Sequence, residues 1–239
     1  MIVWPGHLAA HMPKTGGTWL SEALRPLGRD RLNVGHAPLR SLGHDWQAEC
    51  YRRNPGQRAD ITGRTLVGTI RDPWSWYGSL YLHALQGGPR QRSELLAYGD
   101  GSLEFREVLY GMTHPTWHCI HEHPGVVWRT PASATLDLVS GIGGLWSWAT
   151  RWFYQDDVGD WLADVLLDCS QLRTAAEELV GAPLPLEPVN VRQSGGYASW
   201  YDPEMLAWVL DADGPLSASL GYRSAHQPAA SSVVHLAAA

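Results

Sequence analysis

Along the 239-residue chain, hydrophobic positions come in short runs broken by glycine, proline and polar residues. Leu8 to Met12 is an apolar run that stops at Pro13, which fits a buried strand. Gly16-Gly17 follows, and from Thr18 to Leu27 the apolar residues Leu20, Ala23, Leu24 and Leu27 return at helical spacing. The same order of strand, turn and helix begins again at Thr65. Thr65 to Ile70 reads as a strand with Arg71 at its carboxyl end. Asp72-Pro73 then supplies a helix N-cap and a proline suited to the first helical position. This second helix runs through Trp76, Leu80 and His83 until Gly87-Gly88-Pro89 ends it.

Helical spacing recurs at Ser102 to Tyr110 and at Ile142 to Tyr154, between loops rich in His, Pro and Gly. A third α/β-like unit follows, with Asp164 to Asp168 as a strand and Gln171 to Val180 as a helix closed by Gly181 and Pro183. Asp202-Pro203-Glu204 opens a further capped helix through Leu210. The Ala/Ser-rich stretch after Tyr222 is expected to fray. Strands alternating with helices predict an α/β fold: a single domain whose mostly parallel central sheet is flanked by helices. Such a sheet binds ligands beyond the carboxyl ends of its strands. The expected organisation is one domain over 1–222, with 90–160 as an acceptor-site or lid insertion and 223–239 as a flexible tail.

Hydrophobic content of 44% against 18% charged residues fits a globular chain, and a net charge of −6 argues against a general nucleic-acid binder. The three cysteines, Cys50, Cys119 and Cys169, are odd in number and widely spread, so a reducing compartment is expected rather than a disulfide framework. The first residues lack a basic n-region and a long apolar run, and no stretch approaches the ~20 apolar residues of a membrane span. A soluble, cytoplasmic protein without a membrane partner is expected. Tryptophan is frequent, with 13 against 2 phenylalanines. Trp117, Trp128, Trp146, Trp148 and Trp152 are candidates to stack on an acceptor, although core packing is the commoner use of an indole.

Lysine use is extreme: of 18 basic residues only Lys14 is a lysine. It lies in His11-Met12-Pro13-Lys14-Thr15-Gly16-Gly17-Thr18, where a strand, a glycine turn and a helix follow one another. An ammonium is a compact, flexible point charge suited to a phosphoryl or sulfuryl oxygen, a task a planar guanidinium performs less well. The loop departs from the triphosphate loop, which places its lysine after the last glycine.

Pro13-Lys14-Thr15-Gly16-Gly17-Thr18 resembles the 5′-phosphosulfate loop of sulfotransferases that use 3′-phosphoadenosine-5′-phosphosulfate (PAPS), whose carbohydrate-directed branch often reads Pro-Lys-Thr-Gly-Gly-Thr. Ile70-Arg71-Asp72-Pro73-Trp74-Ser75-Trp76-Tyr77-Gly78-Ser79 is similar to that family's 3′-phosphate site, in which a strand-end arginine and a serine two helical turns later contact the extra phosphate. Arg71 and Ser79 occupy those positions. Pro188-Val189-Asn190-Val191 and the Asp202-Pro203-Glu204 helix resemble the C-terminal segment, where a glycine-containing stretch closes over the 3′-phosphate. Ser194 and Gly195 fit that part, although the Arg-Lys-Gly triplet of the cytosolic branch is missing. The resemblance spans 1–85 and 160–222 in outline and leaves 90–160 unmatched.

The resemblance implies a P-loop-like sulfotransferase fold and transfer of a sulfuryl group from PAPS to a hydroxyl on a small molecule or glycan. The product is 3′-phosphoadenosine-5′-phosphate (PAP), and no metal is required. Lys14 would stabilise the leaving oxygen. Lys14, Thr15, Gly16, Gly17, Thr18, Trp19, Arg71, Ser79, Ser194 and Gly195 would bind the donor. His36, in a Gly-His setting after the first helix, is the candidate general base, because imidazole accepts a proton near neutral pH; Asp45, Glu49 and His11 are rivals. His114, His118, Cys119, His121 and His123 offer zinc-type ligands but lack a repeated finger spacing, so no metal is assigned. Two other functions stay open on the residues: a phosphate-loop kinase or NTP hydrolase, and a tryptophan-rich carbohydrate-binding protein with a degenerate nucleotide site.

Overall fold

The computed structural model describes residues 2–27, 39, 63–115, 143–156, 159–185, 197–222 and 232–236. They form an α/β structure with a five-stranded mixed sheet and seven α-helices among the described residues. The chain divides into two compact units, one of residues 1–71, 150–191 and 230–239 and the other of 72–149 and 192–229. Neither boundary within the described residues carries a Pro/Gly-rich linker, which is why the sequence reads as one domain.

The first unit holds the whole sheet, ordered β1 (Ile2–Trp4), β2 (His7–Ala9), β3 (Thr65–Ile70), β4 (Val165–Asp168) and β5 (Val233–His235). Strands β2, β3 and β4 are parallel, in register at Ala9↔Val67 and Ile70↔Asp168. The two edges are antiparallel, which corrects the expectation of a mostly parallel sheet. The first edge is a hairpin. Pro5-Gly6, with Gly6 at φ +75°, turns the chain so tightly that β1 can only run back along β2. The second edge comes from the tail expected to fray: Val233 and Val234 pair with Leu167 and Leu166 of β4.

Helices α1 (Gly17–Ala23) and α2 (Pro73–Leu85) follow β2 and β3, and α6 (Leu172–Val180) follows β4. In the first unit, Trp19, Leu20, Ala23 and Leu24 of the α1 segment join Leu172, Ala175 and Ala176 of α6 in one apolar cluster. Ile2, Trp4, Ala9, Val67, Val165, Leu167 and Val233 complete it from the strands. Burying a Leu or Val side chain here contributes about 1.5–3 kcal/mol. α6 ends as its sequence predicts, with Gly181 in the left-handed C-cap at φ +71°.

The second unit holds α2, α3 (Pro89–Tyr98), α4 (Phe105–Thr113), the opening turns of α5 (Leu145–Tyr154) and α7 (Pro203–Ser219). Asp72 caps α2 by accepting from Ser75 N at 2.8 Å, with Pro73 in the first turn. Gly87-Gly88-Pro89 ends α2 and also starts α3, because proline tolerates the first helical turn. α7 continues past Leu210 to Ser219 with Pro215 inside it. A buried polar network organises this unit. Asp213, 0% exposed, accepts from Tyr77 Oη at 2.8 Å and from Ser147 N at 3.0 Å, while Trp146 N donates to Tyr77 Oη at 3.1 Å. Side chains of α2 and α7 thus satisfy the otherwise orphaned N–H groups that begin α5.

Candidate anion-binding loop

The loop of interest leaves the carboxyl end of β2. Ala10 N donates to Val67 O at 2.9 Å, so the pairing with β3 outlasts β2 by one residue. The next rung of a parallel ladder would carry Met12 N–H to Thr69 C=O. Instead the Tyr154 hydroxyl stands between them. It accepts from Met12 N at 3.0 Å and from Thr69 N at 3.1 Å, and donates to Thr69 O at 2.6 Å. Burial pushes this phenol up to about 12, so it stays a donor at any working pH. Its ring passes over Gly68, where a Cβ would lie 2.6 Å from Tyr154 Cε1.

Thr15 adds a second tie. Its side chain is 0% exposed; the hydroxyl donates to Met12 O and lies 2.6 Å from Thr69 Oγ1. The Thr15 hydroxyl therefore anchors the loop inwards, and the residue as a whole is buried. Between the two ties the chain passes through Lys14 at φ +69°, a left-handed conformation uncommon for a residue with a Cβ. Gly16, at φ +82°, is the N-cap of α1; it offers no capping side chain, and the first turn has no acidic residue. Such a helix start suits an anion better than a cation.

Arg71 arrives from the neighbouring strand. Its Nη1 donates to Lys14 O at 3.4 Å, at the long end of the hydrogen-bond range. The chain's lysine and the strand-end arginine are thereby held at one edge of the sheet, beyond the carboxyl ends of β2 and β3. Both residues are half-buried.

Both loop glycines are dictated by close approach. A Cβ on Gly16 would lie 2.4 Å from Leu172 Cδ2, and one on Gly17 would fall 2.1 Å from His11 Cδ2. His11, one rival for the base, thus packs its ring on the start of α1. We expect Gly17→Ala to destabilise the protein by about 1–3 kcal/mol, as overpacking does. Chemical denaturation checks this; an unchanged midpoint would mean that His11 swings away freely.

The other expected site residues fall variously. Thr18 is exposed on the first turn of α1, whereas Trp19, 3% exposed, belongs to the core. Ser79 lies half-buried on α2 in the second unit. His36, Ser194 and Gly195 lie outside the described residues, as do Asp45, Glu49, His118, Cys119, His121 and His123.

Set against protein-family models, curated proteins and solved structures, the chain matches none. The geometry of the loop is then the basis for assigning a function.

His114 is an exposed residue at the end of α4, with its ring stacked on Tyr110 at 4.4 Å between centroids and Nδ1 3.1 Å from Tyr110 O. Among the described residues, no group of three or more His, Cys, Asp or Glu side chains could hold a metal ion. Of the tryptophans proposed to stack on an acceptor, Trp146 and Trp148 are core residues at 0% and 6% exposure, and Trp152 is half-buried. Trp117 and Trp128 lie outside the described residues. Sequence reasoning missed Tyr154 and Thr69, which hold the loop together. The faint signal for them is Gly68, a small residue in mid-strand that marks close approach of another group.

Proposed function

We propose that the protein is a sulfotransferase that moves a sulfuryl group from PAPS to an acceptor hydroxyl, with a carbohydrate as the first acceptor class to test. The observation that carries this reading is the Arg71–Lys14 contact, which joins the two cationic motifs at one sheet edge. In the reaction the acceptor oxygen attacks sulfur, and the bond from sulfur to the bridging phosphate oxygen breaks. PAP departs with that electron pair, and the acceptor proton passes to a base. Lys14 stabilises the charge that grows on the bridging oxygen. The backbone N–H groups of Thr15 to Thr18 bind the 5′-phosphosulfate, and Arg71 offers a planar fork to the 3′-phosphate dianion. The resemblance adds Ser79, Ser194 and Gly195 to the donor ligands and His36 as the base.

A kinase or NTP hydrolase fits less well. The threonine after the lysine would have to ligate magnesium, and the Thr15 hydroxyl is already committed to Met12 O and Thr69 Oγ1.

Calorimetry with PAP and AMP tests the proposal. Wild-type protein should prefer PAP, and Arg71→Ala should lose about 1.5–3 kcal/mol of that preference, the worth of a hydrogen bond to a charged group. Equal affinity of the wild type for PAP and AMP would sink the reading. Incubation with labelled PAPS and a panel of glycans, lipids and phenols, followed by mass spectrometry, would identify the acceptor.

A further inference from the structure

Two ladder positions at the mouth of the loop are filled by a side chain rather than by backbone. Ala10 N to Val67 O is the last ordinary rung between β2 and β3. At the next rung the Tyr154 hydroxyl is interposed, accepting from the Met12 and Thr69 amides and donating to Thr69 O. One oxygen serves three backbone groups, so the polar groups exposed where the strands separate are satisfied without water. Separation is the consequence: with a phenol oxygen between them, β2 and β3 cannot close on each other. The chain leaving β2 turns at Pro13 and Lys14, and Lys14 stands in its left-handed conformation beside Arg71. Gly68 makes the arrangement possible by leaving room for the ring.

We propose that Tyr154 is a positioning residue for the anion loop, its hydroxyl acting as a wedge that holds β2 and β3 apart and sets Lys14 against Arg71. The inference rests on the sulfotransferase reading for the identity of the anion, but the wedge itself is a property of the fold. Tyr154 acts on the anion through Met12 and Thr69. Phenylalanine at this position keeps the ring and removes the oxygen, so the strands lose both their spacer and their shared hydrogen-bond partner.

The test compares full-length wild type, Tyr154→Phe and Val165→Ala. Val165 is a core residue at the amino end of β4, so its truncation destabilises the same unit without touching the loop. PAP binding is measured calorimetrically at 10 °C, with the folding of each protein checked by near-UV circular dichroism, and amide exchange is followed by mass spectrometry. Tyr154→Phe should bind PAP about 10–100-fold more weakly, the effect of misplacing a binding group by about 1 Å. Val165→Ala should stay within about twofold of wild type, because distant core truncations do not couple. Exchange in Tyr154→Phe should accelerate at Met12 and Thr69 and also through Lys14 to Thr18. Wild-type PAP affinity in Tyr154→Phe overturns the wedge and leaves the sulfotransferase reading standing. If wild type itself binds no PAP, that reading falls and exchange decides: faster exchange at Lys14 to Thr18 supports the wedge, and faster exchange confined to Met12 and Thr69 overturns it. Should Tyr154→Phe fail to fold, Gly68→Ala takes its place with the same outcomes; its Cβ would meet Leu166 Cδ2 at 2.3 Å as well as the Tyr154 ring at 2.6 Å, so it is made in a Leu166→Ala background and compared with Leu166→Ala alone.

Discussion

Lys14→Ala is expected to abolish measurable turnover in the proposed sulfuryl transfer while leaving the protein folded. Losing one preorganised charge stabiliser costs about 10²–10³ in turnover, roughly 2.7–4 kcal/mol. Lys14 is half-buried, so part of the side chain that alanine removes is already in contact with solvent. Two further substitutions separate charge from geometry. Lys14→Arg keeps the charge but replaces a flexible point donor with a planar fork, and turnover should still fall by about tenfold or more. Near-normal turnover in Lys14→Arg would show that bulk charge suffices. Lys14→Gly addresses the backbone. At φ +69° a residue with a Cβ carries strain of about 1 kcal/mol, which glycine relieves. Glycine's greater freedom in the unfolded chain offsets about 0.5–1 kcal/mol of that gain. The glycine variant should therefore be at least as stable as wild type by denaturant unfolding, and inactive. Such a trade of stability for activity is the mark of a residue kept for function. A loss of more than ~1 kcal/mol would instead make Lys14 a structural residue.

The parts of the fold that can be read from sequence are those whose signals are local. β3 spans Thr65 to Ile70 as its β-branched run predicts, and Asp72-Pro73 starts a helix because an N-cap and an N1 proline act within one turn. The Gly181 stop is equally local. What could not be read depends on partners distant in the chain. β1 and β5 have 3 residues each, too few for a period, and are strands only because β2 and β4 offer open edges. α7 outruns its expected end at Leu210 because Val209, Asp213 and Leu216 beyond or near it are buried, and that burial outweighs Gly214 and Pro215. At the loop, the resemblance singled out Lys14, Thr15, Gly16, Gly17 and Arg71, but no local pattern says what the Thr15 hydroxyl bonds. Its actual partners, Met12 O and Thr69 Oγ1, could not be seen without knowing that β2 and β3 are neighbours. Tyr154 lies 85 residues from Thr69, beyond the reach of any local pattern.

The folding stability of the wild type should contain a component that falls by about 3 kcal/mol between pH 4 and pH 7, and Asp213→Asn should remove it. Burial raises the Asp213 carboxyl from its ordinary 3.8 to about 6, even though hydrogen bonds from Ser147, Tyr77 and Gly144 pull it back. Well below pH 4 this carboxyl is protonated in both folded and unfolded chains, so it contributes no slope. Between pH 4 and 6 the unfolded chain releases the proton and the folded protein does not, so unfolding is favoured progressively. Above pH 6 both forms ionise and the loss levels off. A difference of about two pKa units at about 1.4 kcal/mol each gives about 3 kcal/mol, a large share of the 5–15 kcal/mol typical of a domain. Tyr77 does not compensate by ionising, because burial and the adjacent Asp213 hold its phenol well above the ordinary 10.0. In the Asp213→Asn variant the amide oxygen would still accept from Ser147 N and the amide N–H would turn to Tyr77 Oη, keeping the α5 cap without a charge. Surface carboxylates held low, Asp202 by the Met205 N–H and by Arg106, Glu177 by the Leu184 N–H and by Arg173, lose stability as pH falls, but equally in both proteins. Urea unfolding of wild type and Asp213→Asn across pH 4–7.5 isolates the buried group as a difference. A difference that stays flat with pH would mean that Asp213 ionises in the folded protein as readily as in water, and that its three donors fully replace the lost solvent.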